Sequence, residues 1–253
     1  MRLAFVICLA FLFAASVAAP ELTFLAYLGG LGTDDCDGIA LDHAGDIYLG
    51  CHPDSPDFPG APAKAAGHTG HSMDAVVVKI DARTGRLVWA TRTGGSDWDA
   101  AGDLTVTPDG SIYVVGGTRS ADFPTTPDAV QRRFGGPDRD VFLLKLDPKG
   151  KIVYSTLLGG SKNDEATGLA VTDGGVAYVG GVTMSPDFPG TRVAQFGPRG
   201  QPDAFIARVR PGDPHSFETV LLGGKDVDHI ASLVLDHSGN LLPPDIPGRP
   251  TSL

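Results

Sequence analysis

The sequence predicts an all-β fold in which one four-stranded antiparallel unit of about 65 residues is stacked on copies of itself. Three observations carry this. Glycine pairs recur at Gly29-Gly30, Gly94-Gly95, Gly159-Gly160 and Gly223-Gly224, at offsets of 65, 65 and 64. An Asp-Phe-Pro triplet recurs at Asp57, Asp122 and Asp187 with the same step of 65. The composition, 34 Gly and 20 Pro with 8% aromatic residues, suits a turn-rich β chain better than a helical one. A fixed period this long marks a supersecondary unit packed on its own copies. A residue present in every copy is expected to build the unit, because an active site is normally made once.

Each unit reads as four strands. In the second copy, Leu104 to Val106 and Ile112 to Val115 form a hairpin about Thr107-Pro108-Asp109-Gly110, with Pro and Gly at turn positions. The sibling turns end in Gly45, Gly175 and Gly239, the residue that a left-handed turn position favours. The third strand, Val141 to Leu146, is an almost continuous apolar run, so both its faces should be covered. The fourth, Lys151 to Thr156, follows the short turn Asp147-Pro148-Lys149-Gly150. Four antiparallel strands buried between neighbours describe a β-propeller blade. Tyr48, Tyr113 and Tyr178 share one column and Phe58, Phe123 and Phe188 another; both columns are read as packing between blades.

The order Gly-Gly, Asp four residues on, an apolar hairpin, Ser-x-Asp-Phe-Pro and then Asp-Ala-Phe resembles the SBBP repeat of secreted bacterial β-propellers. The best stretch is Gly116-Gly117-Thr118-Arg119-Ser120-Ala121-Asp122-Phe123-Pro124-Thr125-Thr126, and the likeness extends over residues 22–242. The resemblance implies a propeller fold, export and a surface or extracellular role, with no general reaction. It also implies seven blades, for which 253 residues are too few. The expected content is a leading fourth strand at 22–28, whole repeats at 29–93, 94–158 and 159–222, and a partial repeat at 223–253. That is an open arc or a fragment of a larger propeller. Its unpaired strand edges should favour self-association.

Residues 1–19 have the basic start, apolar stretch and small-residue end of a secretory signal peptide, leaving 20–253 as the propeller segment. The expectation is a secreted protein (extracellular, cell-surface or periplasmic) with no membrane span. A net charge of −10, with no basic face, argues against nucleic acid.

Alternating connections put the short turns at one end of each blade. The other end holds the long loops 51–73, 117–139 and 182–202 and the acidic links between blades, so a partner, protein or glycan, is expected there. Asp34, Asp99, Asp164 and Asp228 each lie four residues after the second Gly of a pair. They read as caps on backbone N–H groups in the link, or as oxygen ligands for calcium. No other cofactor is indicated. His68 and His71, near Cys36, Cys51 and His52, read as loop histidines or as part of a zinc or copper site. Cys36 and Cys51 stand where the other copies have Ala and Gly. A register pairing Leu41 with Ile47 puts Cys36 opposite His52, one residue from Cys51, so a small shift would allow a disulfide; two buried thiols are the alternative.

No Gly-x-Ser-x-Gly, His-Glu-x-x-His or phosphate-binding loop is present. The sequence therefore favours a non-enzymatic binding module or surface scaffold. An extracellular hydrolase or lyase with a channel site partly in further blades is the alternative.

Overall fold

The computed structural model describes residues 26–62, 73–190, 202–223 and 227–242. The signal-peptide reading at 1–19, most of the leading strand, His68, His71 and the end of the chain lie outside them. Among the described residues there are twelve strands and no helix.

The strands form three antiparallel sheets in meander order: β1 (Cys36–Leu41), β2 (Ile47–Cys51), β3 (Ala75–Asp81) and β4 (Arg86–Thr93); β5 (Asp99–Val106), β6 (Ile112–Thr118), β7 (Asp140–Leu146) and β8 (Ile152–Leu158); β9 (Asp164–Val171), β10 (Ala177–Thr183), β11 (Asp203–Val209) and β12 (Glu218–Leu222). These are three propeller blades in an open arc. The first strand of blades 2 and 3 starts at the link aspartate, earlier than the apolar pattern indicates, because the residues before Leu104 and Leu169 pair through a bulge. Gly45, Gly110, Gly175 and Gly239 all take φ between 75° and 85°, the left-handed turn position read from the sequence.

Between blades 1 and 2, Leu104, Ile112, Val114, Phe142, Leu144 and Leu146 pack on Tyr48, Ala75 and Val77. Between blades 2 and 3, Leu169, Val179, Phe205 and Val209 pack on Tyr113, Val115, Leu143 and Tyr154. Phe123 stacks on Phe142 with centroids 4.8 Å apart, and Phe188 lies 4.6 Å from Phe205. The Phe column therefore caps the core of its own blade. Of the Tyr column, Tyr48 and Tyr113 are buried and Tyr178 is half-buried. The inner strands are also joined, since Leu169 N–H donates to Asp103 at 3.0 Å.

The long loop of blade 2 does more than decorate one end. Residues 124–131 run beside β8: Thr126 N–H donates to the Ser155 carbonyl at 3.0 Å and Leu157 N–H to the Gln131 carbonyl at 3.1 Å. The outer edge of that sheet is thereby covered, which limits pairing with other chains. In blade 3, Thr219 N–H donates to the Gly190 carbonyl at 2.8 Å on β12 in the same way. The loops thus satisfy part of the outer edges of blades 2 and 3. Tyr27 and Leu28 are not in a strand, and the described part of the fourth repeat holds a turn with an isolated Leu235–Leu241 bridge.

Cys36 and Cys51 form a disulfide, with Cα atoms 3.8 Å apart. A bulge between Cys36 and Gly38 shifts the register by one and sets Cys36 directly opposite Cys51. Replacing both by Ser should lower stability by about 3 kcal/mol at most, chiefly by freeing the unfolded chain. Urea unfolding of the oxidised and Ser forms measures it, and equal midpoints would leave the bridge without a stabilising role.

Candidate binding face

The repeated polar residues build the frame of the loop-bearing end. In blade 2, Asp99 accepts from Gly95 N–H at 2.7 Å and from the Ser120 hydroxyl at 2.9 Å. The Ser120 hydroxyl in turn accepts from Asp97 N–H at 2.9 Å, and Asp122 accepts from Ser96 N–H at 2.8 Å. Blade 3 repeats this with Asp164, Gly160, Ser185, Lys162, Asp187 and Ser161. Blade 1 repeats it with Asp34, Gly30, Ser55, Gly32, Asp57 and Leu31. Asp228 N–H donates to the Pro202 carbonyl at 3.1 Å, as Asp164 N–H does to Arg139 at 2.8 Å. Asp34, Asp99 and Asp164 thus cap N–H groups of the links, and the motif serine, to which the sequence assigned no role, relays the cap. Asp34, Asp99, Asp164 and Asp228 sit in successive links. Among the described residues no group of three or more His, Cys, Asp or Glu side chains is placed to hold a metal ion. The disulfide removes Cys36 and Cys51 from any zinc or copper set.

A second carboxylate closes on each of the three later links from the start of the preceding third strand: Asp74, Asp140 and Asp203, all buried. Gly94 lies between two of these groups, where an added Cβ would come within 2.6 Å of Asp74 Oδ1 and 2.7 Å of Asp99 Oδ2. Burial, with Asp74 nearby, pushes the Asp99 carboxyl up to about 6. Burial, with Asp164 and Asp187 nearby, pushes Asp140 up to about 7. Asp34 behaves oppositely. The burial that would raise it is outweighed by hydrogen bonds from Ser55 and Gly30, and its carboxyl is lowered. Blade 1 has no described blade before it to enclose Asp34 or to supply a second carboxylate.

The acidic character read from the sequence is therefore partly internal to the frame. The side chains presented on that frame do not repeat. One backbone bond recurs in all three blades: Asp54 N–H to the Thr33 carbonyl (2.8 Å), Arg119 N–H to Trp98 (2.8 Å) and Met184 N–H to Asn163 (3.0 Å). Blade 2 thus places Trp98 and Arg119 where its neighbours place Thr33 with Asp54 and Asn163 with Met184. The Arg119 guanidinium lies 5.8 Å and the Arg139 guanidinium 4.6 Å from the Trp98 ring centroid. Arg139 also pairs with Glu165 of blade 3 at 3.3 Å. Trp98 packs beside Gly117, where a side chain would collide with both Trp98 and Arg139. Arg119 is exposed, Trp98 and Arg139 are half-buried, and Met184 at the equivalent position of blade 3 is exposed. Sequence reasoning missed this cluster. The available signal was a Trp and an Arg that no other copy carries at the matching positions.

No protein-family model matches the chain. Over 185 residues, 72% of the chain, it is 30% identical to the regulatory protein FlaEY of Caulobacter vibrioides. That stretch spans 18% of the longer protein. Among solved structures, a Bacteroides caccae protein of unknown function aligns with 82% of this chain and 52% of its own, at 13% identity and TM-score 0.39. A candidate gluconolactonase aligns with 86% of this chain and 75% of its own, at 15% identity and TM-score 0.35.

Proposed function

We propose that this chain is an exported, non-enzymatic propeller segment of the SBBP-repeat type that binds a protein or glycan through its loop-bearing end. The observation that carries this reading is the Arg119–Trp98–Arg139 stack, built from non-recurring residues on a recurring frame. Trp and Arg are the side chains most often found at the energetic centre of binding surfaces. An indole held beside two guanidinium groups loses little side-chain freedom on contact. The two cations suit carboxylate groups on a protein or an acidic sugar. The hydrogen-bonded link aspartates support a frame role over a calcium role.

The test is a screen of the purified chain against a glycan array containing uronic-acid sugars and against envelope proteins. Binding should fall roughly tenfold or more in Trp98→Ala and in Arg139→Ala. It should be unchanged in Pro108→Ala, at the opposite end of the blade. Equal losses at both ends would overturn the assignment of the face, and turnover of an array sugar would favour a hydrolase or lyase.

A further inference from the structure

Blades 2 and 3 bury a backward face on the blade before them, and blades 1 and 2 a forward face on the blade after them. Leu104 of blade 2 and Leu169 of blade 3 belong to backward faces and are 4% and 7% exposed. The same positions of blade 1 are occupied by Ile39, which is 67% exposed, with Leu41 beside it at 61%. The other end of the arc shows the converse. Residues 227–242 supply the inner turn of a fourth blade, and Leu233 packs back on Gly180 just as Leu104 packs back on Gly50. On its forward side stand Val234 and Leu242, 56% and 48% exposed. In blade 1 their counterparts are Ala40, which is half-buried, and Tyr48, which is 1% exposed.

From these two uncovered faces we infer that the backward face of blade 1 is a docking surface for the trailing turn of a second copy of this chain. What covers Leu104 and Leu169 is, in both cases, the forward face of a blade of this same sequence. Among the described residues one such face stands exposed, at Val234 and Leu242. The two surfaces are the halves of one contact that the chain already makes between its successive repeats. Apolar side chains grouped in this way on a surface mark an interaction site. The contact joins unlike faces, so it either closes a ring or propagates as a linear array.

Light scattering coupled to size exclusion, over about a hundredfold range of concentration, tests this. The purified chain should reach at least twice its monomer mass. Ile39→Lys with Leu41→Lys should remain monomeric, as should Val234→Lys with Leu242→Lys. Each should associate with itself at least tenfold more weakly than the parent. A mixture of the two variants should regain a dimer, because each retains the face the other has lost. All four positions are solvent-facing, so the variants should keep the parent's melting profile; Ser replacements at the same positions serve if Lys disturbs folding. A parent chain that stays monomeric throughout would overturn the proposal and leave the face to a flanking blade of a longer protein. A mixture that stays monomeric while the parent associates would also overturn it, since the copies would then meet by like faces.

Discussion

A single methyl group added at Gly116 should cost about 3 kcal/mol or more and lower the melting temperature by roughly 6–12 °C. Gly116 lies in β6, paired with Ala101 on one side and Phe142 on the other. A Cβ there would approach the Ala100 carbonyl oxygen to 2.0 Å and the Phe142 ring to 2.4 Å. Neither neighbour can give way cheaply. The carbonyl belongs to the inner strand at its bulge, and Phe142 is fixed by its stack on Phe123. Gly174→Ala is the control: it lies in an exposed turn with only Thr172 Oγ1 nearby, at 3.8 Å, and should change stability little. Thermal unfolding followed by circular dichroism compares the two. Similar melting temperatures for Gly116→Ala and the parent would contradict the packing described for blade 2.

Stability should rise as the pH falls from about 7 to about 4. The Asp140 and Asp99 carboxyls are pushed up by burial to about 7 and about 6, while in the unfolded chain they titrate near 3.8. The folded state therefore holds more protons in this window, and proton uptake favours folding. Below it the sign reverses. Asp42 is lowered by hydrogen bonds that outweigh its burial, and Asp109 by the Thr107 hydroxyl and Ser111 N–H. Their stabilising contribution is lost as they protonate. A tenfold difference in proton affinity between the folded and unfolded chains is worth about 1.4 kcal/mol, so a rise in melting temperature of at least about 3 °C between pH 8 and pH 5 is expected. Asp140→Asn mimics the protonated form, with an oxygen for Gly135 N–H, which donates to Asp140 at 2.8 Å. That variant should gain stability at pH 8 and lose most of the slope. A parent whose melting temperature falls steadily from pH 8 to pH 5 would sink this account.

The architecture was legible because the Gly-Gly and Asp-Phe-Pro positions repeat, and repeated residues here are the ones that make the frame. The cap role of Asp99 was legible for the same reason. Ser120 was visible as a motif letter, but its relay between Asp99 and Asp97 N–H depends on a fold-back over 23 residues that spacing does not reveal. The cover of β8 by residues 124–131 was hidden for a different reason. It is made largely by backbone groups, which leave no side-chain periodicity. The Trp98 cluster needs a loop that brings Arg119 and Arg139 to one ring from opposite ends of the β6–β7 connection. Its only trace in the sequence is that these residues do not repeat.

The backbone bond shared by Thr33–Asp54, Trp98–Arg119 and Asn163–Met184 has an evolutionary consequence. Each blade works as a cassette with two variable letters set in an unchanging hinge of main-chain atoms. Duplicating a repeat would lengthen the displayed word by one pair without respelling the others. Exchanging a pair between blades would move its chemistry by one blade along the arc. If the loop-bearing end binds as proposed, recombining whole repeats would change what is recognised, with no need to solve the folding problem again.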